Sequence, residues 1–377
     1  MNQISGLGSQ KLIRICISMI IVTIGVYWLF VLRPFLVPIL VSVLLSILVS
    51  PILFQFEGFG IGKVPSVLLT LVLFFGLVTG VLYISFTQIS EMIEMLPGFI
   101  KKAEVLSREL KYWLIHRFGM RSSRQINDLE DLSANLLQDN GSTALLKTTS
   151  ILGDLVLIPL YMFFMLYYRR FFSEVLHTLM GKKEKRRVDR ILFRIYDVVH
   201  NYLAGLFIVM VIVGAMNTIS LLVLDIPYAV FFGFFAALLL LIPYIGVIIG
   251  SLLPIMMALV IKDSPVYALG VGATFMTIQF LEGNFITPYI VGSKISINPL
   301  MAIVALLLGG MLWGISGMVL ALPMVAILKV ILDHSRRLHP FGYLLGEPGK
   351  ENRGYIFEDD NEENTQATNQ EQEVEEN

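Results

Sequence analysis

The chain has 377 residues, 56% of them apolar and only 15% charged, with mean hydropathy +0.75 and a formal net charge of −1. Ordinary soluble domains are roughly 45–50% apolar, so the excess calls for a hydrocarbon solvent, and the near-zero charge gives no global attraction to nucleic acid. The one cysteine, Cys16, excludes an internal disulfide framework, and its place in the first apolar run gives it a packing role.

A membrane-spanning helix takes about 20 mostly apolar residues. Charge-free windows predict spans at 12–32, 36–54, 65–88, 148–168 and 203–224, then two longer apolar regions at 228–261 and 266–298, then a last span at 301–330. The first run follows Lys11 and Arg14 without an A-x-A-like cleavage site, and reads as a retained anchor rather than a signal peptide. After the third span, Val105, Leu106, Leu110, Trp113 and Leu114, and then Leu129, Leu132, Leu136 and Leu137, recur at three and four. That period predicts about two amphipathic helices, packed on the membrane interface or forming a small extracytoplasmic cap.

Four parts follow from this pattern: membrane segments at 1–89, an extracytoplasmic helical segment at 90–147, a membrane core at 148–346 and an acidic tail at 347–377. From Glu358 to Asn377 there are nine acidic residues and no basic one, which predicts a disordered tail. The segment 169–200 holds nine Lys or Arg in 32 residues, against seven in 56 at 90–145. Basic loops stay on the cytoplasmic side, so 169–200 is assigned there. Lys11, Arg14, Arg336 and Arg337 then put both termini in the cytoplasm.

The region 228–261 is interrupted at Pro243–Gly246 and 266–298 at Pro288–Gly292, leaving arms near or below the roughly 17 residues a span requires. Proline removes a backbone donor, and the freed carbonyls need other partners inside a bilayer. Broken or re-entrant helices are therefore predicted. Either each region crosses once, with Lys262 and Asp263 cytoplasmic, or each dips and returns, with both facing outward beside Asp225. Small residues recur at spacing four in Ser42, Ser46 and Ser50, in Gly76 and Gly80, in Gly246 and Gly250, and in Gly310 and Gly314. Such spacing suits close helix packing, within one chain or in a homo-oligomer.

The segments LIPYIG, QFLEGNFITPYIVGSKISINPL and LLLGGMLWGISGMVLALP resemble the carboxyl-terminal signature of the autoinducer-2 exporter family. The residues carrying the likeness are Pro243, Gly246, Gln279, Glu282, Gly283, Asn284, Pro288, Pro299, Gly309, Gly310, Gly314, Gly317 and Pro323. The resemblance covers about residues 10–340. It implies an all-α, polytopic transmembrane helix bundle of about eight membrane segments in the bacterial inner membrane. The implied function is secondary transport of a small solute such as autoinducer-2, with sodium or lithium exchange for protons as the alternative. A channel or a membrane scaffold ranks below both.

Glu282 lies in an otherwise apolar run, where a charge costs about 2.5–3.5 kcal/mol or more unless paired or hydrated. Gln279 lies one turn earlier; Asn284 and Thr287 follow, where Pro288 is expected to break the helix and bare carbonyls as further ligands. Against this stands a surface role, with Glu282 capping a helix or pairing with Lys294. Asp154 is a second acidic candidate, with an interfacial cap as its plainer reading. Asn217, beside Thr218 and Ser220 in the fifth span, is a third, and interhelical hydrogen bonding explains it equally well. There is no H-E-x-x-H, G-x-S-x-G or P-loop, and no histidine pair with metal spacing. No catalytic residue, metal or cofactor is expected. The expected partners are the bilayer and a small solute or ion, with proton or sodium coupling.

Overall fold

The computed structural model describes residues 3–118, 156–181, 185–242, 245–262, 264–291, 297–335 and 338–347. Among them every regular element is helical. In chain order these are α1 (Gln3–Val31), α2 (Arg33–Gly58), α3 (Lys63–Phe118), α4 (Val156–Tyr167), α5 (Arg169–Met180), α6 (Lys185–Val223), α7 (Ala229–Leu239), α8 (Ile245–Ile261) and α9 (Val266–Leu281). A π-helical turn (Glu282–Ile286) leads into α10 (Thr287–Ile290), and α11 (Pro299–Trp313), α12 (Ile315–Asp333) and α13 (His339–Leu345) complete the series. The windows Arg33–Gly58, Lys63–Ser85, Lys185–Val223 and Ile315–Asp333 are long and apolar enough to cross a membrane, and shorter apolar helices accompany them. The protein is a polytopic helical membrane protein.

Two compact units are formed, one from Met1–Ser173 with Leu203–Ile290 and the other from Glu174–Tyr202 with Val291–Asn377. In the first unit, Val49 and Leu53 of α2, Val67 and Leu71 of α3, and Met162 and Leu166 of α4 form one buried cluster. Lipid tails are as apolar as leucine, so close packing and hydrogen bonds hold such helices together. Ser42, Ser46 and Ser50 form a buried stripe along α2. Ser42 Oγ donates to Pro38 O at 2.6 Å and, across to α4, to Ile158 O at 3.1 Å. Pro51 has no N–H to offer the Ile47 carbonyl four residues back, and Ser50 Oγ donates to that oxygen at 2.8 Å instead.

A second cluster in this unit joins α6, α7, α8 and α9 through Leu221, Phe232, Ala236, Met257, Ala258, Val271 and Phe275. Helix α7 stops at Leu239 and α8 starts at Ile245, so the interruption expected at 243–246 is present; Pro243 and Tyr244 lie outside the described residues. The two helices fold back on each other. Gly250 of α8 faces Ala236 of α7, where an added Cβ would sit 2.9 Å from the alanine Cα, and Gly246 faces the Leu239 carbonyl more closely still. Low partners on one helix meet high partners on the other, which makes α7–α8 an antiparallel hairpin. At its open end Lys262 Nζ pairs with Asp225 Oδ2 at 2.6 Å.

Several expectations need correction. The last span, expected at 301–330, is a helical hairpin in the second unit: α11 ends at Trp313, Gly314 turns with φ 64° and ψ −139°, and α12 begins at Ile315. That backbone region is nearly closed to residues with a Cβ, so the Gly310/Gly314 pair is one packing glycine and one turn glycine. Asn298 caps α11 by accepting from Leu300 N at 3.0 Å, with Pro299 in the first turn where its missing N–H costs nothing. Helix α3 continues unbroken from the third span to Phe118 and so includes the 105–114 stretch expected to be helical; 119–147 lies outside the described residues, as does the tail from 348. An added Cβ on Gly76 or Gly80 would meet nothing within 4 Å, so neither packs against another helix of this chain among the described residues. Cys16 is exposed rather than packed.

Candidate functional site

In the second interrupted region the helix continues without reversal from Val266 to Ile290. The N–H of Pro288 is missing and its ring would press on the Asn284 carbonyl four residues earlier. Widening the preceding turn relieves that pressure, and the chain does so with a π turn in which Thr287 N–H bonds to Glu282 O, five residues back. Pro288 therefore does not break the helix where expected. It sits exposed in α10, which ends at Ile290.

The widened turn sets Glu282 at its first position and gathers three polar side chains. Gln279 Nε2 donates to Glu282 Oε2 at 2.7 Å, and Thr287 Oγ1 donates to Glu282 Oε1, so each carboxylate oxygen accepts one hydrogen bond. Gln279, Glu282 and Thr287 are all half-buried. In a regular helix, positions 282 and 287 are about 140° apart around the axis, and the π turn is what brings them onto one face. Asn284 is exposed and turns back, donating Nδ2 to Phe280 O at 2.8 Å. Lys294, the alternative partner of Glu282, lies outside the described residues. π turns inside α-helices mark functional sites often enough to direct attention here.

The other candidates stand apart from this cluster. Gly246 closes the α7–α8 hairpin and has a packing role. Asp154 and Pro243 lie outside the described residues. Asn217 is 3% exposed and Thr218 8% exposed, both on α6, and neither Asn217 Oδ1 nor Thr218 Oγ1 has a hydrogen-bond partner. Gly233 of α7 lies directly against Thr218 Oγ1. Leaving a buried polar atom unpaired costs about 1–3 kcal/mol, so a pair of them on adjacent residues is a feature in need of a reason. Thr218 was legible in the sequence only as one of three polar residues in a span; its contact with Gly233 comes from the chain reversal before α7.

At the end of α6, Asp225 and Tyr228 hold left-handed backbone, with φ 52° and 58°. The Lys262 side chain, first by its hydrogen bond and then by its charge, holds the Asp225 carboxyl below the ordinary carboxylate range. In the second unit, Arg187 of α6 donates to His334 O at the end of α12, and Asn298 N bonds to Leu345 O of α13 at 2.8 Å. The open end of the α11–α12 hairpin thus lies at the basic start of α6.

Residues 16–337 match the family model described as AI-2E family transporter. YrrI of Bacillus subtilis, provisionally named a transport protein, is 30% identical over 301 residues, 76% of this chain and 83% of its own. YueF of the same organism, similarly named, is 26% identical over 291 residues, 73% of this chain and 78% of its own. The AI-2 transport protein TqsA of Escherichia coli is 30% identical over 158 residues, 42% of this chain and 46% of its own.

Proposed function

Given that the chain belongs to the AI-2E transporter family, we propose that it is a secondary transporter of the bacterial inner membrane that exports a small hydroxylated solute such as autoinducer-2, with Glu282 at the heart of its path. The observation that carries this reading is a half-buried carboxylate at the head of a π turn, accepting one hydrogen bond on each oxygen from Gln279 and Thr287. Carboxylate oxygens have about four acceptor sites between them, so two remain for a hydroxyl, a proton or a cation. An acid in an apolar helix is a costly placement that transport explains.

Sodium or lithium exchange for protons is the second reading, favoured by the same free acceptor sites, since a carboxylate binds a proton or a sodium ion in turn. The short hairpin helices support re-entry: α7 has 11 residues, too few for the hydrocarbon core, and the Asp225–Lys262 pair joins the two ends of the α7–α8 hairpin on one side. With the basic segment 169–200 and Arg187 cytoplasmic, both termini are cytoplasmic and Asp225 and Lys262 face outward.

The test is flux in everted vesicles at matched protein level, wild type against Glu282→Gln, with autoinducer-2 accumulation and sodium-pulsed proton movement measured side by side. Both partners of Glu282 tolerate an amide, because the Thr287 hydroxyl and the Gln279 amide each accept as well as donate. Loss of one charged hydrogen-bonding group, worth about 1.5–3 kcal/mol, then lowers flux by about 10- to 150-fold without unfolding the protein. Autoinducer-2 accumulation lost in the variant supports export; sodium-dependent proton movement lost in it supports exchange. Equal activity in wild type and variant removes Glu282 from the path.

A further inference from the structure

We infer, on the reading that Glu282 lines the transport path, that the main-chain carbonyl of Gly283 is a second ligand atom of that site and that Pro288 is the positioning residue that keeps it bare.

The π turn leaves this oxygen without a helical donor. In a regular helix the Thr287 N–H would bond to Gly283 O, four residues back, but it bonds to Glu282 O instead. In the π register the donor would be residue 288, and proline has no N–H. A threonine hydroxyl can also bond back to the carbonyl four residues earlier, yet Thr287 Oγ1 donates to the Glu282 carboxylate. The neighbouring Asn284 amide turns the other way, to Phe280 O at 2.8 Å. At membrane depth, a backbone carbonyl outside the helical pattern is tolerated only where it is buried in protein or lines a water-filled cavity. Gly283 is exposed, and an added Cβ there would meet nothing within 4 Å among the described residues. The second case therefore applies.

Helix carbonyls point toward the carboxyl-terminal end, so the Gly283 oxygen lies at the level of Thr287, whose hydroxyl holds Glu282 Oε1. Carboxylate and carbonyl thus open on the same turn, and the missing side chain at 283 lets a ligand approach the backbone. What they offer is lone pairs. The carboxylate keeps two acceptor sites, the carbonyl has two, and Thr287 has spent its proton, which leaves the Gln279 amide as the remaining donor of the group. Such a site takes a group that carries positive charge, partial as in the hydroxyl hydrogens of a polar solute or whole as in an alkali cation, and it repels a net anion.

The experiment measures flux in everted vesicles carrying the full chain at matched protein level, against autoinducer-2 concentration and, separately, against sodium concentration with a proton-sensitive dye. Pro288→Ala restores an N–H. Whether residue 288 donates it in the π register or the turn relaxes and Thr287 returns to its usual acceptor, Gly283 O gains a donor. KM should rise about 3- to 10-fold, the worth of one hydrogen bond, with Vmax little changed and melting at or above wild type because the helix gains a bond. Gly283→Ala keeps the proline and the Thr287 contact, adds only a methyl beside the oxygen, and should raise KM in the same way; it is read alone should Pro288→Ala not purify as a single species. The substrate whose KM rises, autoinducer-2 or sodium, identifies the positive group that is held. Unchanged KM in Gly283→Ala, with flux still lost in Glu282→Gln, overturns the carbonyl's role and leaves the path through Glu282 standing. Vmax and melting temperature falling together in Pro288→Ala overturn it too, by making the proline structural. Wild-type flux in Glu282→Gln is the separate failure, which removes the path itself.

Discussion

Replacing Gly317 by alanine tests whether the α11–α12 hairpin depends on backbone contact. In the structure, a Cβ at position 317 would fall on the Gly309 carbonyl, with its carbon at 2.6 Å and Trp313 Cβ at 3.0 Å. These obstacles are backbone and the root of a side chain, which cannot rotate away. Ordinary carbon contact begins at about 3.5 Å, and a gap of 0.5–1 Å forfeits a quarter to a half of each dispersion well. Parting the two helices by that much places the cost in the usual overpacking range of about 1–3 kcal/mol. Alanine also gains about 1 kcal/mol over glycine in helix propensity, so a proper comparison needs that gain without the clash. Gly80→Ala provides it, since nothing lies within 4 Å of its Cβ position. Thermal unfolding in detergent, read as the monodisperse fraction remaining, should place Gly317→Ala below Gly80→Ala by about 1–3 kcal/mol. Gly317→Ala melting at or above Gly80→Ala would refute the close-contact reading of the hairpin.

Other outcomes follow from single side chains. Thr218→Val keeps the shape and removes a buried oxygen without a partner, so it should raise stability by up to about 1–3 kcal/mol; a simultaneous loss of flux, measured in the vesicle assay, would show that the oxygen is kept for solute. Thr287→Val takes one of the two donors from Glu282 and should reduce flux less than Glu282→Gln does, while Asn284→Ala, whose side chain only bonds back to Phe280 O, should leave flux near wild type. The Asp225 carboxyl sits below its ordinary value because of Lys262, so its contribution to stability is present above the unfolded carboxylate range of about 3.9 and fades as pH falls through the lower folded value. Asp225→Asn should therefore melt slightly below wild type at pH 7, with the difference fading as pH falls below about 4 and shrinking in high salt because the pair is solvent-exposed.

Composition and charge spacing were enough to read a multi-pass helical membrane protein, because the demand that every backbone group be satisfied inside lipid leaves a long apolar run no other option than a helix. Pro243 and Gly246 likewise marked the α7–α8 break, since proline and glycine act locally. Glu282 and Gln279, three residues apart, shared a helical face on the page of the sequence. Thr287 did not, because its alignment depends on a π turn that Pro288 induces, and no fixed 3.6-residue period registers such a turn. Tertiary structure decided the rest. Gly314 looked like one more small packing residue inside a continuous span; only its left-handed φ showed a chain reversal, and with it two antiparallel helices in place of one. The direction of α8 against α7 was equally hidden, because apolarity says that a segment belongs in the membrane without saying which way it runs. Asp225 and Lys262, paired in the structure, are 37 residues apart in sequence, and no local signal joins them. They meet because α6 and α8 bring their ends together, and proximity of that kind is a property of packing.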